Sequence, residues 1–323
     1  MYSSPMDFFS MGMFILDEIH WGQKKYNDVI GGAGTYAAVA AGLFLPKDER
    51  NRAGCIVDMG SDFPPDQLDQ LKKWKVGFYF RTNDDRLTTR GWNNYGDNEA
   101  RDFRYMTPKL QVDAKDLLEY PPAANAKCIH FICSPPRLLE FVHELKPQKG
   151  QLVLWEPVPT ECIPEQWPKC RQCFDKVDIL SPNAKEAASF LGRREPQSKK
   201  EIEQLAGEYS AFKGMLVIRA GHLGSLVVQN GLKRWYEPYH LDQEKVVDPT
   251  GGGNSFLGGL GIGLVRYPKE QATAMAYANV AASFMIEQVG FPEYDPETDR
   301  WNGDLVANRV AKYRARAYLG VLN

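Results

Sequence analysis

Basic charge is not in surplus here. The chain carries 39 Lys and Arg against 41 Asp and Glu, a formal net charge of −2, so nothing in its balance supports a groove for nucleic acid or another polyanion. No apolar run approaches the length needed to span a bilayer. The opening stretch MYSSPMDFFS lacks the basic head and apolar core of a secretory leader. Histidine and cysteine are few, five and six, and no histidine lies near the pair Cys170-x-x-Cys173 to complete a four-ligand zinc site. That favours a plain helical pair. Other cysteines sit in apolar runs such as KCIHFICS, where a thiol packs as a small hydrophobe. The expectation is a reduced, cytosolic protein without membrane or nucleic-acid partners. Any phosphate site must then be local, built from backbone amides and one or two basic side chains.

Apolar residues (43%) and charged residues (25%) stand at ordinary globular levels. A length of 323 residues suits one α/β domain spanning 1–323. Short apolar strands are predicted at 8–15, 54–57, 128–133, 152–155, 177–180 and 215–219. They alternate with helical patterns at 34–45, 64–73, 137–145, 184–191 and 199–212, and two long helices are predicted at 253–265 and 269–289. This alternation is that of a mainly parallel sheet covered by helices. Two stretches break it, at 18–29 and 77–106. Both read as twisted antiparallel strands, a small β lid or a decorative hairpin.

The segment VVDPTGGGNSFLGGLGIGLV, residues 246–265, carries the most chemistry. It reads as a strand ending near Asp248, stopped by Pro249, with Gly251, Gly252 and Gly253 opening a helix. Glycine lacks Cβ, so its amides can approach an oxyanion. A helix N-terminus adds open N–H groups and a dipole that favours negative charge. Alone, the motif leaves open a plain glycine-rich turn before a small-residue helix.

In this segment the chain resembles the PfkB family of carbohydrate and nucleoside kinases, whose second signature is D-x-T-G-A-G-D-x-F. Asp248, Thr250, Gly251, Gly253 and Phe256 match, and Gly252 stands where alanine is usual. Further matches follow in the family's order. Gly12 and Asp17 in GMFILD resemble the first strand, whose aspartate binds substrate hydroxyls. Gly31 and Gly32 in GGAGTYAA resemble the double-glycine turn lining the substrate pocket. Asn183 and Glu186 in SPNAKEA resemble the N-x-x-E motif that organises Mg²⁺ and phosphate through water. VIRAGHLGS resembles the T-x-G-x-x-G turn over the nucleotide phosphates, keeping Gly221 and Gly224 but placing Arg219 for threonine. Gly290 resembles a glycine near the nucleotide base. The strings GGAGTYAA, TTRGWNNY and DPTGGGN look most like a fungal branch that includes a killer-virus maintenance protein.

The resemblance implies a three-layer α/β/α ribokinase-like domain with a β lid, ATP and Mg²⁺ as cofactors, and a small-molecule substrate. It implies K⁺ at Asp248 and Thr250, and lid sheets that pair two copies into a homodimer. Two departures are chemical. Asn254 stands where the family has the aspartate that deprotonates the attacking hydroxyl, and an amide is no base near neutral pH. Ile15 and Tyr36 replace pocket asparagines of the sugar kinases, which suits a flatter or less polar substrate. Either a weakened kinase with Asn254 orienting the hydroxyl or a nucleotide-binding pseudokinase is compatible with this. Arg219 reads as a phosphate contact or a structural ion pair, and Glu156 as a magnesium contact or a loop cap. Asn279 reads as an adenine contact or a surface residue, and His222 as a nucleotide contact or an exposed loop residue. Trp92, Asn93 and Asn94 read as closing over substrate, or Trp92 as an anchor of a subunit interface. A dinucleotide oxidoreductase is disfavoured, since no G-x-G-x-x-G follows the first strand.

Overall fold

Consecutive bulky apolar residues let a strand bury both of its faces, and the chain uses them so. Phe8 packs with one layer and Phe9 with the other. Cys128 and Ile129 divide in the same way, as do Leu154 and Trp155, and Val217 and Ile218.

The computed structural model describes residues 6–95 and 101–319; residues 1–5, and 96–100 of the expected lid stretch, lie outside this description. The strands of the two larger sheets are Phe8–Ser10 (β1), Ile15–Trp21 (β2), Lys24–Gly31 (β3), Ala53–Gly60 (β4), Tyr79–Asn83 (β5), Arg90–Tyr95 (β6), Arg101–Tyr105 (β7), Cys128–Cys133 (β8), Leu152–Pro157 (β9), Ile179–Leu180 (β10), Met215–Arg219 (β11), Ser225–Gln229 (β12) and Leu232–Tyr236 (β13). The helices are Ala33–Gly42 (α1), Pro65–Lys73 (α2), Ala114–Leu118 (α3), Pro121–Ala124 (α4), Pro135–Leu145 (α5), Trp167–Gln172 (α6), Ala184–Ser189 (α7), Lys199–Gly207 (α8), Gly252–Arg266 (α9), Gln271–Met285 (α10) and Val306–Leu319 (α11).

Nine strands form the main sheet in the order β13-β12-β11-β10-β9-β8-β1-β4-β5. Pairing is parallel from β11 to β5 and antiparallel at β11, β12 and β13. Helices α1, α9 and α10 supply the core on one face, and residues of α3 to α8 supply it on the other. This is the three-layer α/β/α architecture expected. A second sheet, β3-β2-β6-β7, stands beside it.

Three expectations need correction. The strand expected at 8–15 is two strands: β1 stops at Ser10, and β2 begins at Ile15 in the other sheet. Between them the chain passes so close to α1 that a Cβ on Gly34 would overlap the Gly12 backbone. The lid stretch 77–106 is also divided. Tyr79–Asn83 pairs in parallel with β4 in the main sheet, so only β6 and β7 join β2 and β3. Arg81 secures that edge with 2.7 and 2.8 Å bonds to Asp58 and a 2.5 Å bond to Asp116. The third correction concerns the strand expected to end near Asp248, which does not form. There the Asp248 Oδ1 accepts the Thr250 N–H at 2.9 Å, a local turn that competes with strand pairing.

Candidate active site

Gly251 caps α9 in the left-handed region, with φ 75°, a conformation that favours glycine. The first i→i−4 bond of the helix runs from Ser255 N–H to Gly251 C=O at 2.8 Å. The amides at 253 and 254 precede it and have no acceptor within the helix. A 15-residue helix aims the positive end of its dipole at this point. Packing also favours glycine here. A Cβ at 251 would overlap the Tyr36 ring, one at 252 would lie 2.8 Å from Ile286 Cγ2, and one at 253 would overlap Arg219 Nη1.

Asn254 Nδ2 donates to Glu156 Oε2 at 2.9 Å. Glu156, at the end of β9, is ion-paired through Oε1 with Arg219 Nη1 at 2.8 Å. Arg219 Nη2 reaches Glu186 Oε2 at 3.5 Å and donates to the Ser181 carbonyl at 3.1 Å. On the other side of Glu156, His130 Nε2 lies 3.3 Å from Oε2, off the line of a good hydrogen bond. His130 Nδ1 is 3.2 Å from Ser10 Oγ. Ser10, Glu156 and Arg219 come from the carboxyl-terminal ends of parallel strands β1, β9 and β11, and His130 from the middle of β8 between them. Open α/β sheets gather ligands at that edge.

Ser10, His130, Glu156 and Glu186 are buried, and the two glutamates part company there. Burial would raise the Glu156 carboxyl, but Arg219, His130 and Asn254 outweigh it and hold it down at about 2. Burial dominates at Glu186 and, against the pull of Arg219, raises it to about 7. Arg219 makes the ion pairs that one of its two readings anticipated.

Asn183 and Glu186 form a reciprocal capping box at the head of α7. Glu186 Oε1 accepts from Asn183 Nδ2 at 2.7 Å, and Oε2 accepts from Asn183 N–H at 2.8 Å. With Arg219 also on Oε2, this carboxylate is engaged at both oxygens. Among the described residues no group of three or more His, Cys, Asp or Glu side chains is placed to hold a metal ion. Direct coordination of a divalent cation by Glu186 would displace these protein donors.

The other side of the site is built on β2. Asp17 is buried and its Oδ1 accepts from Asn93 Nδ2 on β6 at 2.9 Å. A Cβ on Gly31 would overlap Asp17 Oδ2, so that glycine lets strand and carboxylate meet. Gly32 caps α1 with φ 92°. Four residues on, Tyr36 is buried beneath Gly251, its ring stacked on Phe291 at 4.4 Å. Through α1, Gly31, Gly32 and the α9 turn share one packing unit.

A profile of the pfkB family of carbohydrate kinases matches residues 6–297. The chain belongs to that family. Two fungal proteins are each 35% identical to it: an uncharacterized protein of Schizosaccharomyces pombe, covering 96% of this chain and 93% of its own, and Protein MAK32 of Saccharomyces cerevisiae, covering 95% and 92%. Ribokinase of Giardia lamblia superposes with a TM-score of 0.73 at 18% identity, over 96% of this chain and all of that one. An Escherichia coli structure of ribokinase type, solved with ATP and Mg²⁺, gives 0.68 at 18% identity over 96% and 99%. The ribokinase-like fold and the fungal kinship expected from sequence are both borne out.

The remaining family positions divide by environment. Gly221 (φ 54°) and Gly224 (φ 91°) bend the chain directly after Arg219. Gly290 (φ 80°) lies beside Val29 of β3. Asn279 is buried, with its Nδ2 on the Met275 carbonyl at 2.9 Å, so the surface reading of it fails. His222 is exposed. Trp92 lies between Arg104, 4.5 Å from its ring centre, and the edge of His20. Cys170 and Cys173 are buried free thiols, and Cys173 Sγ contacts the Lys169 carbonyl at 3.3 Å. Sequence reasoning missed Ser10 and His130 altogether. The available signal was a lone histidine inside the apolar strand KCIHFIC, directly across from a serine in the register of β1 and β8.

Proposed function

We propose that the chain binds ATP with its phosphates against the amides at 253 and 254 and transfers the terminal phosphoryl group to a hydroxyl of a sugar-like or nucleoside-like small molecule. Asp17, Gly31 and Gly32 hold the acceptor. The turn carrying Gly221 and Gly224 covers the phosphates, and Gly290 and Asn279 line the base side. The sheet of β2, β3, β6 and β7 acts as the lid and as the surface where two copies meet. Asp248 and Thr250 take the place of the monovalent-cation loop.

One observation carries the reading: the 2.9 Å contact between Asn254 and Glu156 at the open head of α9. An ionised carboxylate only accepts hydrogen bonds, so Asn254 presents its Nδ2 to Glu156 and leaves Oδ1 to accept from the attacking hydroxyl. The hydroxyl oxygen bonds to the terminal phosphorus, the bond to the bridging oxygen breaks, and ADP leaves. The acceptor's proton passes to a phosphoryl oxygen or solvent. Phosphoryl transfer has a loose transition state in which positioning and charge supply most of the rate. Losing a general base then slows turnover by about 10² to 10⁴-fold without abolishing it. Glu156 does not substitute as base, because Arg219 and His130 hold its carboxyl at about 2.

The same sealed carboxylate supports a second reading, a nucleotide-binding pseudokinase acting as sensor or scaffold. Incubation with ATP and a panel of nucleosides, sugars and polyols, read as ADP release, separates the two. Slow acceptor-dependent release supports the kinase. Tight ATP binding with no release for any acceptor supports the pseudokinase. All six cysteines are free and buried, which supports the cytosolic placement.

A further inference from the structure

We infer that Arg219 stands in for the divalent cation, so that this site binds nucleotide phosphate without a metal. The inference rests on the nucleotide reading above and adds to it what neutralises the phosphates. Two buried carboxylates, Glu156 beside the head of α9 and Glu186 in the first turn of α7, approach one guanidinium, an arrangement that would otherwise draw a cation. The cation between them is the guanidinium of Arg219, 2.8 Å from one and 3.5 Å from the other.

Its position ties it to the phosphate turn as well. Nη1 occupies the space a Cβ would take at Gly253, so the glycine there leaves room for the guanidinium against the backbone. Arg219 Nε is buried with no partner among the described residues. A guanidinium carries five donors in a fixed fork that suits phosphate oxygens, and the bonds to Glu156, Glu186 and Ser181 leave Nε–H unspent. A metal ion entering between the glutamates would have to displace Arg219 from a buried ion pair and open the Asn183–Glu186 capping box. Neither is needed if the positive charge is already resident.

The test is calorimetric titration of ATP into the full chain, once in excess EDTA and once in millimolar Mg²⁺. The inference expects wild-type affinities within about threefold of each other. Arg219→Thr weakens metal-free binding by about 10- to 100-fold, the loss of one charge-assisted hydrogen bond, and makes Mg²⁺ enhance binding. Because Arg219→Thr leaves two carboxylates without their cation and can fail to fold, Arg219→Thr with Glu156→Gln provides a charge-balanced second variant with the same expectation. Wild-type binding that appears only with Mg²⁺ overturns the inference and leaves the nucleotide reading standing. Metal-independent binding that survives both variants unchanged also overturns it. No ATP binding under either condition overturns the nucleotide reading itself.

Discussion

Replacing Asn254 by Asp, the residue usual in the family, does more than restore a base. It puts a second carboxylate where Nδ2 now stands, 2.9 Å from Glu156 Oε2. At an effective dielectric near 20, two unit charges at that separation repel by about 6 kcal/mol. Proton uptake limits the damage. A carboxyl of ordinary pKa near 4 costs about 4 kcal/mol to protonate at pH 7 and about 1.4 kcal/mol at pH 5. Arg219 and His130 absorb part of the rest, so about 4 kcal/mol is the upper bound at pH 7. The sign follows from linkage: the pair raises a folded-state carboxyl above its unfolded value, so the variant's stability is present below pH 4 and lost as pH rises. Urea unfolding of Asn254→Asp and wild type at pH 7 and pH 5 should show a deficit that shrinks by up to about 3 kcal/mol at the lower pH. Adding Glu156→Gln should recover most of it at pH 7, as a coupled pair requires. The double variant, with one unprotonated carboxylate facing the acceptor, should also exceed Asn254→Asp in ADP release. An equal deficit at both pH values, or no recovery in the double variant, would refute the contact.

Gly251→Ala forces a side chain into φ 75° and onto the Tyr36 ring; it should cost at least about 2 kcal/mol and weaken ATP binding, read by melting and calorimetry. Arg309→Ala strips the half-buried Glu287 of bonds at 2.6 and 3.0 Å and should cost about 1.5–3 kcal/mol; a change below about 0.5 kcal/mol in unfolding free energy would contradict it. Stability should also peak between about pH 4.5 and 7. Burial raises Glu156 and Glu287, but their ion pairs outweigh it and hold both at about 2, so they stabilise above 4.5 and lose this as pH falls toward 2. Burial raises Glu186 to about 7, so its contribution is present below 4.5 and lost as pH rises through 7. A flat profile of denaturant midpoints from pH 3 to 8 would contradict all three assignments.

The layers were legible because they are local. Apolar strands such as CIHFIC and LVLW, and small-residue helices such as the one after Gly251, announce themselves by pattern. The edge at β5 was not, because Tyr79–Asn83 is polar and joins the sheet through backbone pairing and the distant partners Asp58 and Asp116. The site was half legible. Gly251 stands out in its glycine run, and Asp17 and Glu186 through their resemblance to the family's motifs. The partnership of Asn254 with Glu156 spans 98 positions, and Arg219 gains its meaning from two carboxylates on separate elements. Such contacts leave no periodic trace in a single sequence.

The most direct measurement is a crystal structure of the full chain with ATP. Phosphate oxygens should lie within hydrogen-bond distance of the N–H groups of Gly253 and Asn254, at the head of α9. Nucleotide seated elsewhere, with those two amides facing only protein atoms, would contradict the assignment of the site.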